Sequence, residues 1–299
     1  MARRMLSSSS PVRTFFSCLP ARALQGWAVA LLLGLVSCDT VFEGNLFENF
    51  AGPESASAIL RKYSDGGVVL PARAPGFVSA LDDAAGSSRF FRELSASDRA
   101  GLNDALESVY AADDADVPKA TRQKAAILAG QVNLRETDAG ETINNAIDVL
   151  TDGGIDTFEE DPEALLDQLL PSGVRGDEAK ISAVLRNLVN AAGAYEALGT
   201  TLASSDDDPE PQMPAGTNKG AVAQNALVAL VVKDIAKANG ADAEDGIAAL
   251  AAELAKPQGD RDTDWITLPY DNGVEFAPEG SPLRNIFNAA GFGGVLDDV

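Results

Sequence analysis

Carboxylates are nearly the whole chemical repertoire of this chain: 45 of its 299 residues are Asp or Glu, beside 23 Lys and Arg, two Cys and no His. Without an imidazole, Ser-His-Asp and Cys-His catalysis, histidine metal sites and a histidine pH switch are all excluded. Carboxylates can hold a hard cation or exchange protons as a general acid and base. With so many acids, close pairs are inevitable and say little about a hydrolase or lyase. Sugar clefts also need stacking aromatics, and of Trp and Tyr the chain beyond residue 37 keeps only Trp265 and four tyrosines. No Walker-type phosphate loop occurs.

The other reactive group is a sulfur. The first 37 residues carry Arg3, Arg4, Arg13 and Arg22 and no acid, and end in the apolar run Ala28 to Val36. A basic start, a short apolar core and small residues after it make a secretory signal peptide over residues 1–37. The run falls short of the roughly 20 apolar residues that cross a bilayer. Leu35-Val36-Ser37-Cys38 resembles the lipobox of bacterial lipoproteins. The resemblance implies a diacylglyceryl group on Cys38, cleavage just before it, and attachment to a membrane through that lipid. It implies a place in the bacterial cell envelope, facing the periplasm or the exterior. An ordinary cleaved signal is the alternative. Asp39 resembles an inner-membrane retention residue. Arg3-Arg4-Met5-Leu6 resembles a twin-arginine export signal but lies far from the apolar core. With Cys18 in the leader and Cys38 acylated, neither a free thiol nor a disulfide remains.

Among the carboxylates, DVLTDGGIDTFE (residues 148–159) resembles an EF-hand calcium loop. Asp148 falls at the first position, Asp152 at the fifth, Gly153 at the sharp turn, Ile155 at the eighth, Asp156 at the ninth and Glu159 at the twelfth. The resemblance implies a Ca²⁺ ion held by Asp148, Asp152, Asp156 and Glu159. Leu150 stands where the third ligand belongs, Asp161-Pro162 restarts a helix too early, and no second loop pairs with this one. A Gly-Gly helix stop followed by acids is the plainer account. Asp260, Asp262 and Asp264 alternate in DRDTDW, but Trp265 replaces the glycine of a calcium loop, so a solvated surface is expected there.

The elements that must position these residues are helices. Residues 38–53 read as a lipidated N-terminus and tether, with Phe42, Phe47 and Phe50 as docking points, and 54–299 as an acidic helical domain. The expected fold is all-α: a compact domain of roughly 8–10 helices, with a helical-hairpin array as an alternative arrangement and at most a small C-terminal β-hairpin. That hairpin is expected within 264–278, around Asp271-Asn272-Gly273. Ser97 is the expected N-cap of one helix, Pro118 lies in the first turn of the next, and Asp138 with Glu141 suggests a capping box. Ser281-Pro282 and Asp161-Pro162 each place a capping residue before a proline at the first helical position. From 177 to 202, Ile181, Val184, Leu185, Leu188, Val189, Ala192, Tyr195, Leu198 and Leu202 form a core stripe.

The Pro/Asp-rich stretch 204–216 is the strongest linker signal. Beyond it, the helix around Ala226 to Val232 is apolar on almost every face and must be covered all round. It is therefore expected to insert among helices that precede the linker, making one domain with a long loop. Abundant Ala and Gly at buried positions point to close helix–helix approach.

Past the leader, 19 basic residues face 45 acidic ones, a net charge near −26. Such a surface repels nucleic acid, which is excluded as a partner, and holds the body off anionic headgroups. The expected role is that of a membrane-anchored lipoprotein serving as a structural or protein-interaction module, with another envelope protein as partner. A protein binding Ca²⁺ or a small ligand is the alternative, and a hydrolase or lyase working through carboxylates is a third reading.

Overall fold

The computed structural model describes residues 54–135, 137–151, 168–203, 212–257, 259–261, 267, 269 and 275–298. Ten α-helices and one pair of two-residue strands lie among them, so the all-α expectation holds. Ser55 caps α1 (Ala56–Tyr63), its hydroxyl accepting from the Ala58 N–H. Strands β1 (Ser64–Asp65) and β2 (Val68–Val69) then pair antiparallel, Ser64 opposite Val69. Gly66 and Gly67 turn the chain between them at φ 58° and 87°, the left-handed pair that a two-residue hairpin needs. A 3₁₀ turn (Pro71–Arg73) leads into α2 (Ala74–Ala85), followed by α3 (Ser88–Arg92) and α4 (Ala96–Tyr110).

Next come α5 (Lys119–Leu134), α6 (Thr137–Thr151) and α7 (Glu178–Thr201). Beyond the Pro/Asp-rich stretch lie α8 (Lys219–Ala238), α9 (Ala243–Leu254), α10 (Pro282–Ala290) and a 3₁₀ turn at Gly293–Asp298.

Helix ends follow local chemistry, with three differences from the spacing argument. The N-cap of α4 is Ser95, not Ser97: its hydroxyl accepts from the Asp98 N–H at 3.1 Å and donates to the Asp98 carboxylate at 2.6 Å. Buried Leu94 fixes the chain just before it, so the helix starts at the earlier of two suitable serines. Pro118 is the N-cap residue of α5 rather than part of its first turn. Helix α6 already begins at Thr137, which puts Asp138 inside its first turn. Ser281 caps α10 as expected, with Pro282 at its first position, and Gly291 ends that helix at φ 89°. There the Phe292 N–H reaches back to the Phe287 carbonyl at 2.8 Å, the closing bond of a Schellman motif. The strand pair lies near the N-terminal side; most of 264–278, and Asp161-Pro162, lie outside the described residues.

The buried side chains form two clusters. One gathers α1, β2, α2, α3 and α4 around Ile59, Phe77, Leu81, Phe90, Leu102 and Leu106. The other gathers α6 to α10 around Ile181, Leu188, Tyr195, Leu227, Ile247 and Ile286. Helix α5 belongs to both: Ala125, Leu128, Ala129 and Val132 face the first, Ala126, Ile127 and Leu134 the second. Helix α7, at 24 residues the longest described, packs against α5, α8, α9 and α10. All nine residues of its expected stripe contribute to the second cluster, Val189 from its edge. Helix α8 packs on α7, α9, α10 and α6, and from Ala221 to Ala236 none of its residues is exposed. That coverage is what an apolar helix requires.

Two close approaches set the spacing in this second cluster. A Cβ on Gly199 of α7 would collide with the backbone of Pro282 at the start of α10, and one on Gly246 of α9 with the backbone of Ala236 in α8. Only glycine lets these backbones touch.

Candidate functional site

Of the residues that could do chemistry, Cys38, Asp152, Asp156 and Glu159 lie outside the described residues, as do Asp262 and Asp264. Asp148 is an exposed residue of α6, a helix that continues to Thr151. Asp260 is exposed. Among the described residues, no three acidic side chains gather as a cation site.

Several of the polar groups that the fold brings together lie along α5 and α7, the seam where the two clusters meet. Tyr195 of α7 is fully buried, and its ring occupies the space that Gly130 of α5 leaves open: a Cβ there would come within 2.6 Å of the phenol ring. Its hydroxyl is hydrogen-bonded to the Asn225 side chain of α8. Burial pushes the phenol's pKa above its ordinary value, which the Asn225 bond only partly offsets. A buried phenol kept neutral in this way is a hydrogen-bonding strut among three helices.

One residue along α7, Glu196 forms an ion pair with Lys233 of α8, whose side chain is only 14% exposed. On the other side of the seam, Asn103 of α4 and Asn133 of α5 exchange amide hydrogen bonds. Asn103 Nδ2 donates to Asn133 Oδ1 at 3.0 Å, and Asn133 Nδ2 donates back to Asn103 Oδ1 at 3.2 Å and to the Ala129 carbonyl at 2.8 Å. Tyr110, at the end of α4, touches both clusters. Its pKa is pushed up to about 12, first by burial and then by the negative charge of Glu107. Arg135 follows α5 and lies over the Phe91 ring at 4.7 Å; burial holds its pKa below the usual value.

Three pairs among these groups satisfy one another across helices. The bonds between Tyr195 and Asn225, Glu196 and Lys233, and Asn103 and Asn133 each join two helices at one register, so a slide between those helices would strand a donor or acceptor, at a cost of about 1–3 kcal/mol each. The chemistry here is that of alignment. Periodicity had placed Tyr195 on a core face, but its partners stand 65 residues before it and 30 after it, and no local pattern points to either.

The outer surface carries a second feature. Val68 and Leu70 are the large hydrophobic side chains most open to solvent among the described residues, 55% and 53% exposed. They flank buried Val69, whose N–H donates to the Ser108 hydroxyl of α4 at 3.0 Å. Alternation along an extended strand turns Val68 and Leu70 to one face while Val69 packs inward.

No known protein family, characterised protein or solved structure matches this chain.

Proposed function

We propose that this protein is a membrane-anchored extracytoplasmic lipoprotein of the bacterial cell envelope, and that its helical body serves as a structural or protein-interaction module. The observation that carries this reading is Leu35-Val36-Ser37-Cys38 at the end of a basic and apolar leader, with Cys38 18 residues before the first residue of α1. The buried pairs Tyr195–Asn225 and Asn103–Asn133 support a scaffold, since each ties two helices together. No helix among the described residues is long and apolar enough to cross a membrane, so attachment falls to the lipid on Cys38, each buried CH₂ of which contributes about 0.8 kcal/mol.

Mass spectrometry of the protein from its own membranes tests the reading. The expected N-terminal peptide starts at Cys38 and carries the mass of a diacylglyceryl group. Cys38→Ala is expected to move the protein from the detergent phase to the aqueous phase. A peptide that begins upstream of Cys38, or one with a bare thiol, overturns the anchor.

A further inference from the structure

We infer that the hairpin face made by Val68, Leu70, Pro71, Ala72 and Pro75 is the surface with which the body rests on the membrane holding its lipid. The inference depends on the Cys38 anchor proposed above. All five residues are exposed, and they follow one another from β2 through the 3₁₀ turn into α2. A small apolar face of this kind seats at the level of the headgroups without crossing them.

The position of the face along the chain names the occupant. The chain enters α1 at Ser55, and α1 runs directly into the hairpin. The segment from Cys38 to Ser55 spans at most about 60 Å when fully extended. The hairpin is therefore confined near the bilayer whether or not it touches it, and confinement acts as a high local concentration of the surface.

Charge does not oppose the same face. Between Ala56 and Leu81 the chain has three basic residues, Arg61, Lys62 and Arg73, all exposed, and one acid, Asp65. In space two further acids approach: Glu54 faces Lys62, and Asp104 lies beside Gly67. The face is thus close to neutral on a chain whose formal charge is −22. At physiological salt, charges more than about 8 Å from the surface are largely screened. An anionic membrane accordingly repels this face less than it repels the acidic stretches of the body. The stand-off expected from net charge applies to the rest of the body.

The test reads lipid contact at two sites. Once Cys38 is acylated and the leader removed, a cysteine introduced at Ala72 or at Ala252 is the only free thiol. Ala252 is an exposed residue of α9, among the helices of the second cluster. Each variant, purified from membranes, labelled with bimane and reconstituted in phosphatidylcholine–phosphatidylglycerol vesicles, is quenched by headgroup-proximal spin-labelled lipid. Quenching at the Ala72 site is expected to exceed that at Ala252 about threefold, as apolar insertion into the interface requires. Replacing both Val68→Ser and Leu70→Ser, which are exposed and spare the core, is expected to bring the Ala72 site down to the Ala252 level. Equal quenching at the two sites with Cys38 acylated, as a protein partner covering the face would give, overturns the docking and leaves the anchor standing. Stronger quenching at Ala72 that survives the double serine change also overturns it. A bare Cys38 removes the anchor and the docking together.

Discussion

Glycines meet different neighbours in the two halves of this molecule. In the N-terminal cluster, Gly101 of α4 faces the tip of the Leu60 side chain and Gly76 of α2 faces the Tyr63 ring, each with a hypothetical Cβ at 3.0 Å. In the C-terminal cluster, Gly199 and Gly246 face backbone. The first half joins shorter helices through bulky side chains such as Phe77, Phe90 and Phe91, with the rings of Phe90 and Phe91 edge to face at a centroid distance of 5.4 Å. The second joins longer helices by direct backbone contact. A side chain can turn away from an added methyl group, but a backbone held in a helix cannot. The two halves should therefore fail under opposite kinds of substitution.

The largest effect expected is from truncation in the N-terminal half. Phe77→Ala removes a ring that is completely buried, which should cost about 3–5 kcal/mol in urea unfolding. A loss below about 1 kcal/mol would show that this cluster repacks freely, and the contrast would fail. Adding a methyl group is the sharper comparison. Gly246→Ala drives a Cβ into the Ala236 carbonyl region and should cost about 1–3 kcal/mol by overpacking. Gly101→Ala meets only a movable leucine tip, and its gain in helix propensity, about 1 kcal/mol, should leave stability near or above that of the parent. Equal losses at the two glycines would break the distinction between side-chain and backbone contact.

The smallest effect is confined to alkaline solution and reports on the seam. Tyr110, with its pKa near 12, and Tyr195, raised by burial, both hold their protons more tightly in the folded chain than in the unfolded chain, where a phenol titrates near 10. Below about pH 10 neither state loses a proton and stability is unaffected. As the pH rises from about 10 towards 12, the unfolded state alone releases protons and stability falls. Tyrosinate absorbance and helical ellipticity should therefore change together, and Tyr110→Phe should move the loss of helix to higher pH. Full tyrosinate formation with the helices intact would show that the seam is wetter than its burial indicates.

Much of this architecture is visible in the sequence, and the exceptions have physical causes. The stripe on α7 repeats every three or four residues because a single face meets several neighbours. The cap at Ser281-Pro282 was equally legible, since all its partners lie within one turn. Choosing between Ser95 and Ser97 required knowing that Leu94 is buried. The hairpin at Ser64 to Val69 is illegible in the sequence because strands of two residues carry no alternation, although Asp65-Gly66-Gly67 is turn chemistry. Asn272-Gly273 gives a clearer turn signal, in a stretch outside the described residues. The seam was least legible. Tyr195 needs Gly130 and Asn225, and Asn103 needs Asn133, and these pairings exist only once helices are side by side. Of the expected site residues only Asp148 has a described position, exposed on α6.

Helix α5 answers to two masters. Its consecutive residues Ala125 and Ala126 face different clusters, as do Ile127 and Leu128. A substitution there disturbs both halves at once, so little of this helix is free to vary and it is a poor place to acquire a new binding group. Novelty in such a protein has to begin at the rim, in the hairpin, the short helices and the connecting loops, where a changed side chain alters what the molecule touches without disturbing what holds it together.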